Sequence, residues 1–177
     1  MFSPWRLATA RLMMAPVAFG DLPEIAALKA DPSAFAQMLG GVRSRQQSAE
    51  ELAEDIRAWG AFGYGMWTVR ARAGGGFQGI AGLMHRPDGR GIALRFAFRP
   101  QARGAGLATE AAGAALVYAH ETAMLPEIVA VAREDNIASR TILGAIGMTQ
   151  TDSFVRDGIL RLVYHSTRHG AAFATSR

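Results

Sequence analysis

The sequence predicts a mixed α+β domain, one largely antiparallel sheet with helices on its faces. Three observations carry that reading. Residues 64–72, 77–85 and 92–98 are β-rich runs separated only by the tight turns Gly74-Gly75-Gly76 and Pro87-Asp88-Gly89, an antiparallel meander. The third run passes through a glycine turn into an Ala-rich helix over residues 107–120. Beyond that helix, the apolar run 127–132 suits a buried strand parallel to the third. Two last strands, 148–156 and 159–165, straddle Asp157-Gly158, a type I′ hairpin signal.

The remaining elements follow in order. Residues 9–17 read as a first strand, with Arg11 towards solvent. Asp21 is a suitable N-cap for a helix with Pro23 in its first turn and Ile25 and Leu28 on one face. Asp31-Pro32-Ser33 ends that helix and starts a second through Leu39, and residues 40–47 read as an exposed loop. Ser48 and Glu51 form a capping box that opens a helix carrying Leu52, Ile56 and Trp59 on one face, broken by the segment 60–65. Asp135 or Asn136 caps a helix over 137–146, closed by Gly147, and the tail from Thr167 is expected to fray.

A chain of 177 residues, half of them hydrophobic and 19% charged, is long enough for one substantial core and short for two, so residues 1–177 form a single domain. There is no cysteine, which excludes a disulfide framework, a thiolate nucleophile and thiolate metal ligands. His120, His165 and His169 share no ligand spacing, so no metal is expected. Arginine outnumbers lysine eighteen to one in a chain of net charge +4. The arginines are scattered, which describes a diffuse basic surface able to attract an anionic ligand; a nucleic-acid partner is not expected. The apolar stretch after Arg11 is interrupted by Pro16 and Asp21 and falls well short of the ~20 residues of a membrane span. With no export signal at the start, the expected location is cytoplasmic, with no membrane partner.

The densest chemistry lies in Gln101-Ala102-Arg103-Gly104-Ala105-Gly106, between a strand and a helix. Such a turn presents unpaired amides at the positive end of a helix dipole, a seat for a phosphate or diphosphate. Gly104 and Gly106 allow close backbone approach, and Arg103 adds a fixed positive charge. A dinucleotide-binding fold is disfavoured, because Thr109 stands where the third glycine would be and hairpin-linked strands precede the turn.

The string Q-x-x-G-x-G resembles the pyrophosphate loop of the GNAT acyl-CoA-dependent N-acetyltransferases. The following G-L-A-T-E-A resembles the ribosomal-protein N-terminal acetyltransferase-like branch. The similarity covers almost the whole chain and is strongest between Gly91 and Met148. It implies a GNAT fold, a single mixed sheet with two splayed parallel strands. It also implies acetyl-CoA as co-substrate, bound by Arg103, Gly104, Ala105, Gly106, Leu107, Ala108 and Thr109, with pantetheine along the backbone of Phe96, Ala97 and Phe98. Asn136 and Ser139 match the family's N-x-x-S; on the residues alone Asn136 fits a plain helix cap, and the resemblance places both at the thiol end, as catalytic and cofactor-binding residues. Glu110, in the first helical turn, reads as structural.

The chain departs from the family at Ala93, where many relatives carry a glutamate base. His85 is one substitute, and Tyr64, Trp67 and His85 are the candidate acceptor-groove residues. An α-amine with a pKa of about 7.7–8.0 is partly neutral near pH 7, unlike a lysine at about 10.4, which favours a protein N-terminus or another weakly basic small amine as acceptor. The alternative implied by Ala93 is a non-catalytic acyl-CoA-binding module. The final hairpin offers an edge for homodimer contacts.

Overall fold

The computed structural model describes residues 3–168. Its strands are β1 (Leu7–Ala8), β2 (Leu12–Pro16), β3 (Met66–Ala71), β4 (Phe77–His85), β5 (Ile92–Phe98), β6 (Glu127–Arg133), β7 (Thr149–Arg156) and β8 (Ile159–Thr167). The helices are α1 (Leu22–Ala30), α2 (Pro32–Phe35), α3 (Arg45–Phe62), α4 (Leu107–Val117) and α5 (Ile137–Ala145). The eight strands make one sheet in the order β1-β2-β3-β4-β5-β6-β8-β7. All neighbours are antiparallel except β5 and β6, which run parallel and pair only at Ala93 and Val129.

Alternation along β5 assigns its side chains to two cores. Leu94 and Phe98 join Ala111, Ala112 and Ala115 of α4 on one face. Ala97 joins Ile25, Leu28, Phe35 and Leu52 under α1, α2 and the first half of α3 on the other. Ala93 and Arg95 alternate in phase with Ala97 and therefore point to that second face. Packed rings extend the first of these cores: Trp59 lies 4.8 Å from Trp67, and Trp67 lies 5.0 Å from Tyr118.

The meander lies where its sequence put it, with β4 and β5 spanning the expected residues. Asp157 and Gly158 both have positive φ, 53° and 71°, as the type I′ turn requires. Other boundaries shifted. The first strand is split into β1 and β2, because Thr9 and its neighbours bond to Glu110. The second helix stops at Phe35. The helix α3 begins earlier than expected, since Ser44 and Gln47 form the capping box: the Gln47 amide donates to Ser44 Oγ at 3.1 Å and the Ser44 amide to Gln47 Oε1 at 2.9 Å. Ser48, expected at the cap, is fully buried inside the helix, and Gly63 ends the helix in the left-handed region at φ 73°. The Ala-rich helix loosens after Val117 into a π turn, Tyr118–Thr122. Strand β8 continues through Thr167; His169 and the rest of the tail lie outside the described residues.

Candidate active site

Beyond the Ala93–Val129 pair, β5 and β6 diverge and leave their facing edges unpaired. Between them opens a cleft of about 420 Å³. Its walls are Ala93 to Phe96 of β5, Ala130 to Arg133 of β6, Asn136 and Ser139 at the start of α5, and Glu51, Glu54 and Asp55 of α3.

The glycine turn follows β5 directly, does not line that cleft and is open to solvent. Gly104 and Gly106 adopt φ values of 86° and 77°, and Gly106 is the cap of α4. Among the described residues, the amides of Gly104, Ala105 and Gly106 meet no backbone acceptor. Those of Leu107, Ala108 and Thr109 are the orphan donors of the first turn. Six consecutive amides are therefore available at the positive end of α4. The turn is braced from below: Arg11 donates to the Ala105 carbonyl at 2.6 Å and to Glu110 Oε2 at 2.7 Å. Burial alone would raise the Glu110 pKa, but hydrogen bonds from Thr9 and Arg11 outweigh it and hold the carboxyl below the usual range. Glu110 is thus a brace, as its position suggested. Arg103 reaches back to the Ser33 carbonyl.

The other expected site residues divide. Asn136 and Ser139 both line the cleft; Asn136 Oδ1 accepts from the Ser139 amide at 3.1 Å, so the cap and the cleft position coexist. Phe96 lines the cleft, whereas the side chains of Ala97 and Phe98 are buried in the two cores. His85 lines the cleft edge and bonds Tyr64 Oη at 2.9 Å, with Phe62 packed against both rings. Tyr64 is buried behind it. Trp67 does not reach the cleft. It is 0% exposed and its indole donates to the Trp5 carbonyl at 2.7 Å, because residues facing the α4 core have no route to the surface there.

Sequence reasoning missed the charged wall opposite Ala93. Glu51 and Asp55 are four residues apart on α3 and face the cleft together. Glu51 takes hydrogen bonds from Lys29 Nζ at 2.6 Å and from Arg43. Burial lowers the Lys29 pKa, while for Glu51 the burial that would raise the carboxyl is overcome by those two partners, which lower it. Asp55 accepts no hydrogen bond among the described residues, and burial pushes its pKa up to about 6 against the opposing pull of Lys29 and Arg95. The available signal was the helical spacing itself, once Ser44 and not Ser48 is taken as the cap.

A mixed sheet opened between two parallel strands, with six open amides at the start of the helix that joins them, defines an acyl-CoA-dependent transferase fold. The chain matches the Acetyltransferase (GNAT) domain over residues 11–149 and belongs to that family. Its fold is shared with an acetyltransferase from Agrobacterium tumefaciens, 28% identical at a TM-score of 0.82 over 94% of this chain and 96% of that one. RimL, a ribosomal-protein α-N-acetyltransferase solved with coenzyme A, superimposes at 0.75 with 16% identity, covering 91% and 96%. Spermidine N-acetyltransferase SpeG from Vibrio cholerae does so at 0.75 with 14% identity, covering 95% and 100%. The protein is a GNAT acetyltransferase.

Proposed function

We propose that this enzyme transfers the acetyl group of acetyl-CoA to a primary amine by direct attack on the thioester. The observation that carries the reading is the single-residue pairing of β5 and β6, which leaves strand edges free for a pantetheine arm beside six unpaired amides. In this reading the diphosphate takes the amides of residues 104–109, with Arg103 at its edge. The pantetheine amides pair with the backbone of Phe96, Ala97 and Phe98, and Asn136 holds the turn that aims Ser139 at the sulfur. His85 borders the acceptor.

The proton acceptor is Asp55, across the cleft from Ala93. A carboxylate with a pKa of about 6 is ionised at neutral pH yet basic enough to take a proton from an ammonium. The ammonium gives one proton to Asp55. The neutral nitrogen then bonds to the carbonyl carbon, the carbon–sulfur bond breaks, and the thiolate departs with a hydrogen bond from Ser139 Oγ. The nitrogen's remaining extra proton ends on sulfur, and Asp55 returns its own to solvent. A thiol pKa near 8.5 makes the thiolate an adequate leaving group.

The test is thiol release from acetyl-CoA across pooled peptides and small amines, comparing wild type with Ala105→Glu. Release with one acceptor class, lost in the variant, supports the proposal. Stabilisation by coenzyme A with no release from any amine favours the non-catalytic acyl-CoA module that Ala93 brought into view, and neither effect overturns both.

A further inference from the structure

We infer that the acceptor carries an anionic group, a carboxylate by the shape of its seat, a few bonds from the amine that is acetylated, and that Arg95 binds it. This rests on the acetyl-transfer reading above.

Five arginines line the cleft, and four are engaged. Arg43 is held by Glu51, Arg86 by Asp88, Arg133 by Asp135 at 2.7 Å, and Arg161 by the Arg156 carbonyl at 2.6 Å. Arg95 has no carboxylate within 4 Å among the described residues. Its one hydrogen bond, at 3.5 Å, goes to the thioether sulfur of Met84, a weak acceptor. The guanidinium lies over the Phe35 ring, 5.1 Å from its centre, deep enough that burial lowers its pKa. What exposure it has is to the cleft it lines. A guanidinium taken that far from water is stabilised by a partner that accepts its forked donors, and a carboxylate matches that fork.

The position also says which ligand supplies the partner. Arg95 points to the α1–α3 face, with Ala93 and opposite Asp55, while the amide cradle for the diphosphate belongs to α4 on the other face. The anion therefore belongs to the acceptor. Arg95 is the cleft arginine without a carboxylate partner, and Asp55 and Glu54 are cleft carboxylates with no ion pair among the described residues, which together suit an amine and a carboxylate on one molecule. A free amino acid and a peptide whose first residues are acidic share that chemistry. A polyamine does not, because it brings Arg95 a further cation and no anion.

The experiment compares acceptors that differ only in the anion: the free amino acids against their amides and decarboxylated amines, N-terminally acidic peptides against their glutamine counterparts, and spermidine. The expected result is kcat/KM about tenfold or more higher for the anionic member of a pair, mostly through KM. The amides have less basic amines, so intrinsic reactivity runs the other way. Equal or better turnover of the uncharged twins, or of spermidine, overturns the inference. Which pair discriminates separates the amino-acid source from the peptide source. Arg95→Met is expected to abolish the discrimination, and persistence of the preference in a folded variant counts against Arg95. If no amine is acetylated, the proposed function fails by itself. Calorimetry of the coenzyme A-loaded protein with the same pairs then decides the anion site, heat from the acids alone supporting it and no difference overturning it.

Discussion

Replacing Asp55 with asparagine should raise stability and remove turnover in the same molecule. The ordinary carboxylate value is 3.8, and burial pushes Asp55 to about 6. Below the lower value the folded and unfolded chains both hold the proton, so the group contributes nothing. As pH rises from there to the upper value, the unfolded chain releases its proton while the folded one keeps it, and folding loses about 1.4 kcal/mol per pH unit. Across roughly two units the loss reaches about 3 kcal/mol, complete by pH 7. Asparagine has the shape of the neutral acid and never ionises. Asp55→Asn is therefore expected to match wild type near pH 4 and to exceed it by on the order of 2–3 kcal/mol at pH 7, roughly 4–10 °C in Tm.

The same change deletes the proposed proton acceptor, which should lower kcat/KM by about 10²–10⁴ and remove an acid limb whose midpoint lies near 6 in wild type. Denaturation of both proteins at pH 4 and 7, with kcat/KM measured from pH 5 to 9, provides the readout. A variant less stable than wild type at pH 7 would show that Lys29 and Arg95 hold Asp55 as a paired anion, and the energetic reasoning would fail. A kcat/KM within about threefold of wild type would remove Asp55 from the chemistry.

Ala105→Glu places a negative charge on the amide cradle at a residue without positive φ, so coenzyme A affinity measured by calorimetry should drop by about a hundredfold with Tm unchanged; Gly104→Glu would add backbone strain at φ 86° and is the less clean test. Ser139→Ala should lower kcat by about tenfold with KM for acetyl-CoA nearly constant, in steady-state kinetics, if its hydroxyl acts on the departing sulfur as proposed. Gly82→Ala should cost more than about 2 kcal/mol in urea, since a Cβ there would stand 2.4 Å from the Gly65 carbonyl and 2.6 Å from Met66 Cα, both backbone. Trp67→Ala should destabilise by about 3–5 kcal/mol by opening a cavity between Trp59 and Tyr118, and should leave KM for the acceptor unchanged if the protein still folds.

Local signals were legible in the sequence where one residue type satisfies one backbone demand. Asp157-Gly158 and the glycines at 104 and 106 are of that kind, because positive φ restricts the choice sharply. Asn136 was legible as a candidate cap because its side-chain oxygen satisfies an otherwise unpaired amide, that of Ser139. The start of α3 was not. Both Ser44 and Ser48 are followed three residues later by Gln or Glu, and only tertiary contacts choose between them. The earlier start frees Glu51 from capping to join Lys29 and Arg43, a contact between segments that no window of sequence contains. Trp67 failed for a related reason: strand alternation gives two faces, but the packing of α3 and α4 decides that both faces of β3 are buried.

The placement of charge in the cleft follows from that helix register. Glu51 consumes two cations, Lys29 and Arg43, and a partner on α3 one turn later is left with none. Asp55 thus remains open to the cleft and half-buried, the condition that raises its pKa. On the facing strand, Ala93 supplies neither charge nor bulk, so the space a glutamate would fill stays available between helix and strand. A base carried by the strand would project beside the thioester from the same element that holds the pantetheine arm. In the proposed mechanism the base and the acyl seat are on different elements, joined through Leu52 and Ala97 in one core. The alignment of the proposed proton acceptor with the thioester therefore depends on the core that α3 and β5 share with α1 and α2. Truncating Leu52 to alanine, far from either reacting group, should reduce kcat more than it reduces coenzyme A affinity, because the amide cradle on α4 belongs to the other core.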